Sequence, residues 1–195
     1  MTLLKNLLMT SVLMSTLAGC GIQSIPQGKN NVDATLAEVT NQYKRRADLI
    51  PNLVNVVKGY AKHENQTLTQ VIEARSKATQ VTIDPTKMTA ENIQKYQQAQ
   101  GQLSQALGRL MMVSEQYPNL KADQNFRELQ AQLEGTENRI TVARERHIAA
   151  IQEFNNLVTV PPTSWTNSLM YHNEKLPQWS VADAEKIVEP PKVEM

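Results

Sequence analysis

Apolar residues recur in steps of three and four from Val32: Leu36, Val39, Tyr43, Ala47, Ile50, Val54, Val57 and Ala61. That is one stripe of an amphipathic helix. Pro51 lies on the same ladder. It removes the amide that would bond the Ala47 carbonyl, at a cost of about 3 kcal/mol. The stripe continues on both sides, so a kinked helix is expected. The pattern resumes at Leu68, Val71, Ile72, Arg75 and Ala78. One straight helix from 32 to 79 would run about 72 Å, much longer than the later helices. A break near Gly59–Glu64 is therefore expected.

Val81-Thr82-Ile83-Asp84-Pro85-Thr86 is a connection, and Thr89 is the N-cap of the next helix. The stripe of that helix is Ile93, Tyr96, Ala99, Leu103, Leu107, Leu110, Met111, Ser114 and Tyr117, stopped by Pro118. Gly101 and Gly108, with Ser104 between them, suggest a small-residue stripe where another helix approaches closely. Asp123 is the N-cap of a last helix. Its stripe is Phe126, Leu129, Leu133, Thr136, Ile140, Ala143, His147, Ile151, Phe154 and Val158, ended by Pro161-Pro162. After Thr163 no period holds. Trp165, Tyr171 and Trp179 suggest a tail laid in part on the helices. The expected fold is all-α: an antiparallel three- to four-helix bundle with a long kinked first helix and an irregular C-terminal tail. Scarce aromatics (5%) and seven glycines disfavour a sandwich or barrel.

The first twenty residues read as a leader. Lys5 gives a positive start, and Leu7 to Ala18 is apolar but too short to span a bilayer comfortably. The segment ends in Leu17-Ala18-Gly19-Cys20, which resembles the lipobox of bacterial lipoproteins. That resemblance implies diacylglycerol on the Cys20 thiol, cleavage before Cys20 and acylation, with palmitate for instance, of the new N-terminus. Cys20 is the single cysteine of the chain, so no intrachain disulfide exists. One acyl chain anchors marginally, and two or three hold firmly. The divisions expected are a signal peptide over 1–19, a lipidated Cys with a flexible tether over 20–31, a helical bundle over 32–160 and an irregular extension over 161–195. The expected location is a membrane surface on the extracytoplasmic or periplasmic side. Gly21, in place of a retention Asp, favours the outer membrane where the host has one. Loss of Lys5 leaves 19 basic residues against 19 acidic. A neutral domain has no global electrostatic reason to bind nucleic acid.

Three stretches together resemble the LemA family of bacterial envelope proteins. The first is Tyr43-Lys44-Arg45-Arg46-Ala47-Asp48-Leu49-Ile50-Pro51-Asn52-Leu53-Val54, with Val57-Lys58-Gly59-Tyr60 and His63-Glu64. The second is Leu107-Gly108-Arg109-Leu110 with Tyr117-Pro118-Asn119-Leu120-Lys121-Ala122. The third is Leu133-Glu134-Gly135-Thr136-Glu137-Asn138-Arg139-Ile140, with Ala143-Arg144 and Phe154-Asn155. The resemblance runs from about Val32 to Val158. It implies a membrane-held antiparallel bundle, and it carries no settled biochemical activity. The chain departs from the family in three ways. It has a lipobox where members often have a transmembrane helix. It has His147-Ile148 where an aromatic residue and Asn are usual. Its tail lacks the family's run rich in glycine and phenylalanine.

Candidate chemistry is sparse. His63-Glu64 begins like a zinc-protease motif, but the fifth position is Thr67, so two ligands cannot share a helix face. A turn, with Glu64 at the positive end of the next helix, is the better account. His147 falls on an apolar stripe and reads as a core histidine with one hydrogen bond. His172 lies in the tail. No nucleophile elbow, S-x-x-K order or phosphate loop occurs. No catalytic residue, metal or cofactor is therefore expected. Lys44-Arg45-Arg46, followed by Asp48, reads as a solvated helix face, with anionic lipid or an acidic partner as the alternative. Glu134, Glu137, Asn138, Arg139 and Arg144, which Arg109 could join, form the densest polar cluster. Such a cluster is either a network fixing helix register or a recognition surface.

The leading functional expectation is a non-enzymatic lipoprotein that binds an envelope protein. The others are an accessory or enzyme whose site a partner completes, and a self-associating scaffold.

Overall fold

The computed structural model describes residues 22–85 and 88–179, and all their regular structure is helical. Cys20 lies outside them. The helices are α1 (Ser24–Tyr60), α2 (Asn65–Gln80), α3 (Ala90–Ser114), α4 (Pro118–Ala122), α5 (Gln124–Thr159) and α6 (Thr163–Thr166). A π-helical turn over Asn167–Tyr171 comes after α6. The architecture is the all-α helical bundle that the periodicity predicts.

All nine residues of the first stripe, from Val32 to Ala61, are buried. The helix they build runs unbroken through Pro51 and ends at Tyr60. The break falls where expected, over residues 61–64, so 32–79 holds two helices. The tether is shorter than expected. Residues 24–31 are helical, because Ile25 and Val32 bury fully and extend the stripe N-terminally across a polar stretch. Ile72 is another correction: it is half exposed, and Ala74 takes the inward position.

Both predicted caps form. The Asn92 amide donates to Thr89 Oγ1 at 3.2 Å, and the Phe126 amide donates to Asp123 Oδ1 at 2.9 Å. Each satisfies one orphan donor of a helix start. Pro118 opens α4 at a position where no amide is needed.

The chain divides into two compact units. Among the described residues, one comprises 22–43 with 135–177, the other 44–85 and 88–134 with 178–179. In the second, Ile50, Leu53, Val57, Val71, Leu103, Leu110, Leu120 and Phe126 form a continuous apolar core. Trp179 is buried there, edge-on to Tyr96 with ring centroids 6.2 Å apart. In the first unit, α5 buries Ile140, Ala143, Ile151 and Phe154. Gly28 packs closely there: a Cβ on it would meet Leu157 Cδ1 at 2.7 Å. The close approach expected at Gly101 and Gly108 is absent. Both face open space, because α3 turns Ala99, Leu103, Ala106 and Leu110 inward instead.

Candidate functional site

The polar residues singled out in the sequence separate by depth. Arg46 is the largest fully buried side chain. Its Nη1 donates to Ser104 Oγ at 2.8 Å. Its Nη2 donates to Gln100 Oε1 at 2.8 Å and to the Gln100 carbonyl at 3.3 Å. Gln100, also buried, passes the chain on: its Nε2 donates to the Ala78 carbonyl at 3.1 Å. One guanidinium thus links α1 to α3, and Gln100 links α3 to the end of α2. The solvated-face reading of Lys44-Arg45-Arg46 fails at Arg46. Periodicity explains why: Arg46 lies three residues after Tyr43 and four before Ile50, on the edge of the buried stripe. Gln100 likewise lies four residues after Tyr96 and three before Leu103, on the edge of the buried stripe of α3.

Arg45 and Asp48 are exposed. On α5, Glu134, Glu137, Asn138 and Arg139 are exposed and Arg144 is half-buried. Arg139 donates to Thr136 Oγ1 at 3.0 Å, on its own helix. Glu134 accepts from Gln130 Nε2 at 3.0 Å, again within the helix. Arg109 is exposed on α3.

His147 is buried, as its place on the stripe predicts. Its Nδ1 lies 3.0 Å from Thr35 Oγ1. The Thr35 hydroxyl reaches back to the Asn31 and Val32 carbonyls at 2.9 Å each. Its one hydrogen is committed there, so its oxygen accepts and the imidazole proton sits on Nδ1. Burial lowers the His147 pKa from 6.5 to about 4, opposed by a hydrogen bond to the Val32 backbone and by the charge of Asp33. This imidazole is neutral at physiological pH. Arg146, one residue before it, pairs with Glu38 at 2.9 Å on the exposed side.

Glu64 occupies the N-cap of α2 without capping it. Its Oε1 accepts from the Tyr117 hydroxyl at 3.2 Å. Desolvation raises the Tyr117 pKa, and that carboxylate adds to the effect. Likewise Tyr60 donates to Asp123 Oδ2 at 2.9 Å, which raises the tyrosine pKa. The Asp123 pKa is lowered, chiefly by the Phe126 amide and then by Tyr60. His63 is exposed. Among the described residues, no three His, Cys, Asp or Glu side chains are grouped to hold a metal.

Two asparagines missed in the sequence fix the tail. Asn155 Oδ1 accepts from the Leu176 amide at 2.8 Å, and its Nδ2 donates to the Leu176 carbonyl at 2.9 Å. Asn167 does the same to Asn173, at 3.0 and 2.9 Å. Tyr171 donates its hydroxyl to the Ile22 carbonyl at 2.7 Å. A cleft of about 250 Å³ lies beside that bond, lined by Ile25, Pro26, Lys29, Asn30, Tyr171 and Asn173. The resemblance to other chains at Phe154-Asn155 was the one sequence signal for any of this.

No described helix is long and apolar enough to cross a membrane. The family model described as "LemA family" matches residues 35–195. Protein LemA of Metamycoplasma hominis is 24% identical over 154 residues, which cover 79% of this chain and 64% of that protein. The chain therefore spans slightly less than two thirds of that relative's length.

Proposed function

The chain belongs to the LemA family, and from that membership we propose that it is a lipid-anchored envelope protein. It acts by binding another protein and carries out no reaction of its own. The observation that carries this reading is how its polar residues are deployed. Arg46, Gln100 and His147, the buried polar groups best suited to chemistry, are committed to helix-to-helix hydrogen bonds. Arg45 and Asp48 on α1, and Glu137, Asn138 and Arg139 on α5, point outward where a partner can reach them. The burial of His147 favours this reading over an enzyme or accessory whose site a partner completes.

Anchoring rests on Leu17-Ala18-Gly19-Cys20. Since α1 begins at Ser24, only residues 21–23 separate the acylated cysteine from the helix. The anchored domain is held against the membrane surface, on its extracytoplasmic side. With equal acidic and basic counts once Lys5 is removed, the partner is a protein and not a nucleic acid.

Cross-linking in intact cells, followed by mass spectrometry of what co-purifies with the membrane-bound protein, tests this reading. A stoichiometric partner linked through 44–64 or 134–146 is the expected result. It should be lost in Arg45→Glu or Arg139→Ala variants of unchanged melting temperature. Links to a second copy alone would replace the adaptor by a self-associating scaffold.

A further inference from the structure

Trp165, Leu169 and Met170 are the large apolar side chains of α6 and the π turn that face water, with 67%, 81% and 53% of their surface exposed; the exposed Ser168 between them carries no charge. Spacings of four and five residues in a helical segment set Trp165, Leu169 and Met170 on one side. Single exposed apolar residues are ordinary, but an apolar cluster within seven residues marks a contact surface. The cluster is held at a defined place. Tyr171, the next residue, donates its hydroxyl to the Ile22 carbonyl, and Tyr171 and Asn173 wall the same cleft as Ile25 and Pro26 at the start of α1. Ile22 is itself 46% exposed.

We propose that this face, centred on Trp165 and Leu169, rests in the interfacial layer of a phospholipid bilayer beside the Cys20 acyl chains. The proposal deepens the anchoring reading given above and rests on it. Two independent features select a bilayer as the occupant. The first is reach. Cys20 is two residues from Ile22, so covalent geometry keeps them within about 7 Å. Acyl chains on Cys20 enter the membrane next to the residue that Tyr171 clasps. The second is charge. No Asp, Glu, Lys or Arg occurs between Glu153 and Glu174, or between Cys20 and Lys29, in a chain one-fifth charged overall. The two segments that meet at this end enter the headgroup layer without desolvating an ion. Tryptophan, apolar with one N–H donor, is the side chain most at home there.

The test uses the mature lipoprotein reconstituted into phosphatidylcholine vesicles, with Trp179→Phe so that Trp165 is the sole tryptophan. Intact mass of the same preparation reports acylation of Cys20. Expected are a blue-shifted Trp165 emission and at least twofold quenching when shallow-brominated lipid replaces ordinary lipid, with quenching reduced by Leu169→Glu. Emission unchanged by bromine in an acylated protein overturns the membrane face and leaves the anchor standing. An unacylated mass with Trp165 still quenched by added vesicles removes the anchor and supports the face. A blue shift that grows with protein concentration but ignores bromine assigns the face to a second copy and overturns the proposal. Should Trp179→Phe unfold the domain, Leu169→Cys carrying an environment-sensitive fluorophore, in the otherwise native chain, gives the same readout.

Discussion

Arg75 Nε donates to the Ala47 carbonyl at 2.8 Å, and Ala47 is the residue whose helical acceptor Pro51 leaves without an amide. A side chain from α2 therefore satisfies the defect that proline makes in α1. Ala47 is buried, so water is a poor substitute donor, and an unsatisfied buried carbonyl costs about 1–3 kcal/mol. This bond explains why the helix persists through Pro51, and why Arg75, polar, falls on the inward stripe of α2.

The pairing predicts a non-additive cycle. Arg75→Leu should lower unfolding free energy in urea by about 1–3 kcal/mol. In a Pro51→Ala background, where residue 51 again supplies an amide, the same change should cost measurably less. Equal losses in both backgrounds would break the connection between the two residues.

The Arg46–Gln100 pair predicts a second asymmetry. Gln100→Leu leaves a buried guanidinium short of one side-chain acceptor and should cost about 1.5–3 kcal/mol. Arg46→Met removes the charge while keeping most of the volume, and should cost less. Chemical denaturation of the two variants decides the order.

His147 makes stability depend on pH. Its pKa is about 4 when folded and 6.5 otherwise, so the unfolded chain binds the proton more tightly. The contribution is complete above pH 6.5 and is lost as pH falls from 6.5 toward 4, a change of about 3 kcal/mol at most. His147→Phe should flatten the stability profile in that interval. An unchanged slope would place the acid sensitivity elsewhere.

Glycines give opposite signs. Gly101 and Gly108 lie in the interior of α3 with nothing within 4 Å of an added Cβ. Alanine at either should raise stability by about 0.5–1 kcal/mol. Gly28→Val would drive into Leu157 and Phe154 and should cost about 1–3 kcal/mol. Thermal melts of the three variants check both signs.

Helix periods, the two caps and the break after α1 were legible because each rests on neighbours close in sequence. Asp123 announces itself just before the apolar run it caps. Arg46 was not legible as a buried residue. Its position on the stripe was visible, but what makes burial tolerable is Gln100 and Ser104, more than fifty residues away. The same holds for Gly28, whose polar neighbourhood reads as tether until Leu157 and Phe154 are placed against it. Gly101 and Gly108 misled in the other direction: glycine spacing alone does not say which side of a helix has a neighbour. Of the candidate cluster on α5, the polar residues could be named from the chain but not the side they face, and the asparagine clamps could not be read at all. Those are recognised only by the main chain they hold.

Asn155 and Asn167 grip Leu176 and Asn173 by peptide groups alone, so the grip is blind to side chains. The route of residues 173–176 is specified while their spelling is left open, apart from proline, which lacks the N–H that each clamp requires. Sequence drift in this segment costs little, and drift at the two asparagines does not. The tail can acquire a new outer surface, and with it a new contact, without having to learn a new fold.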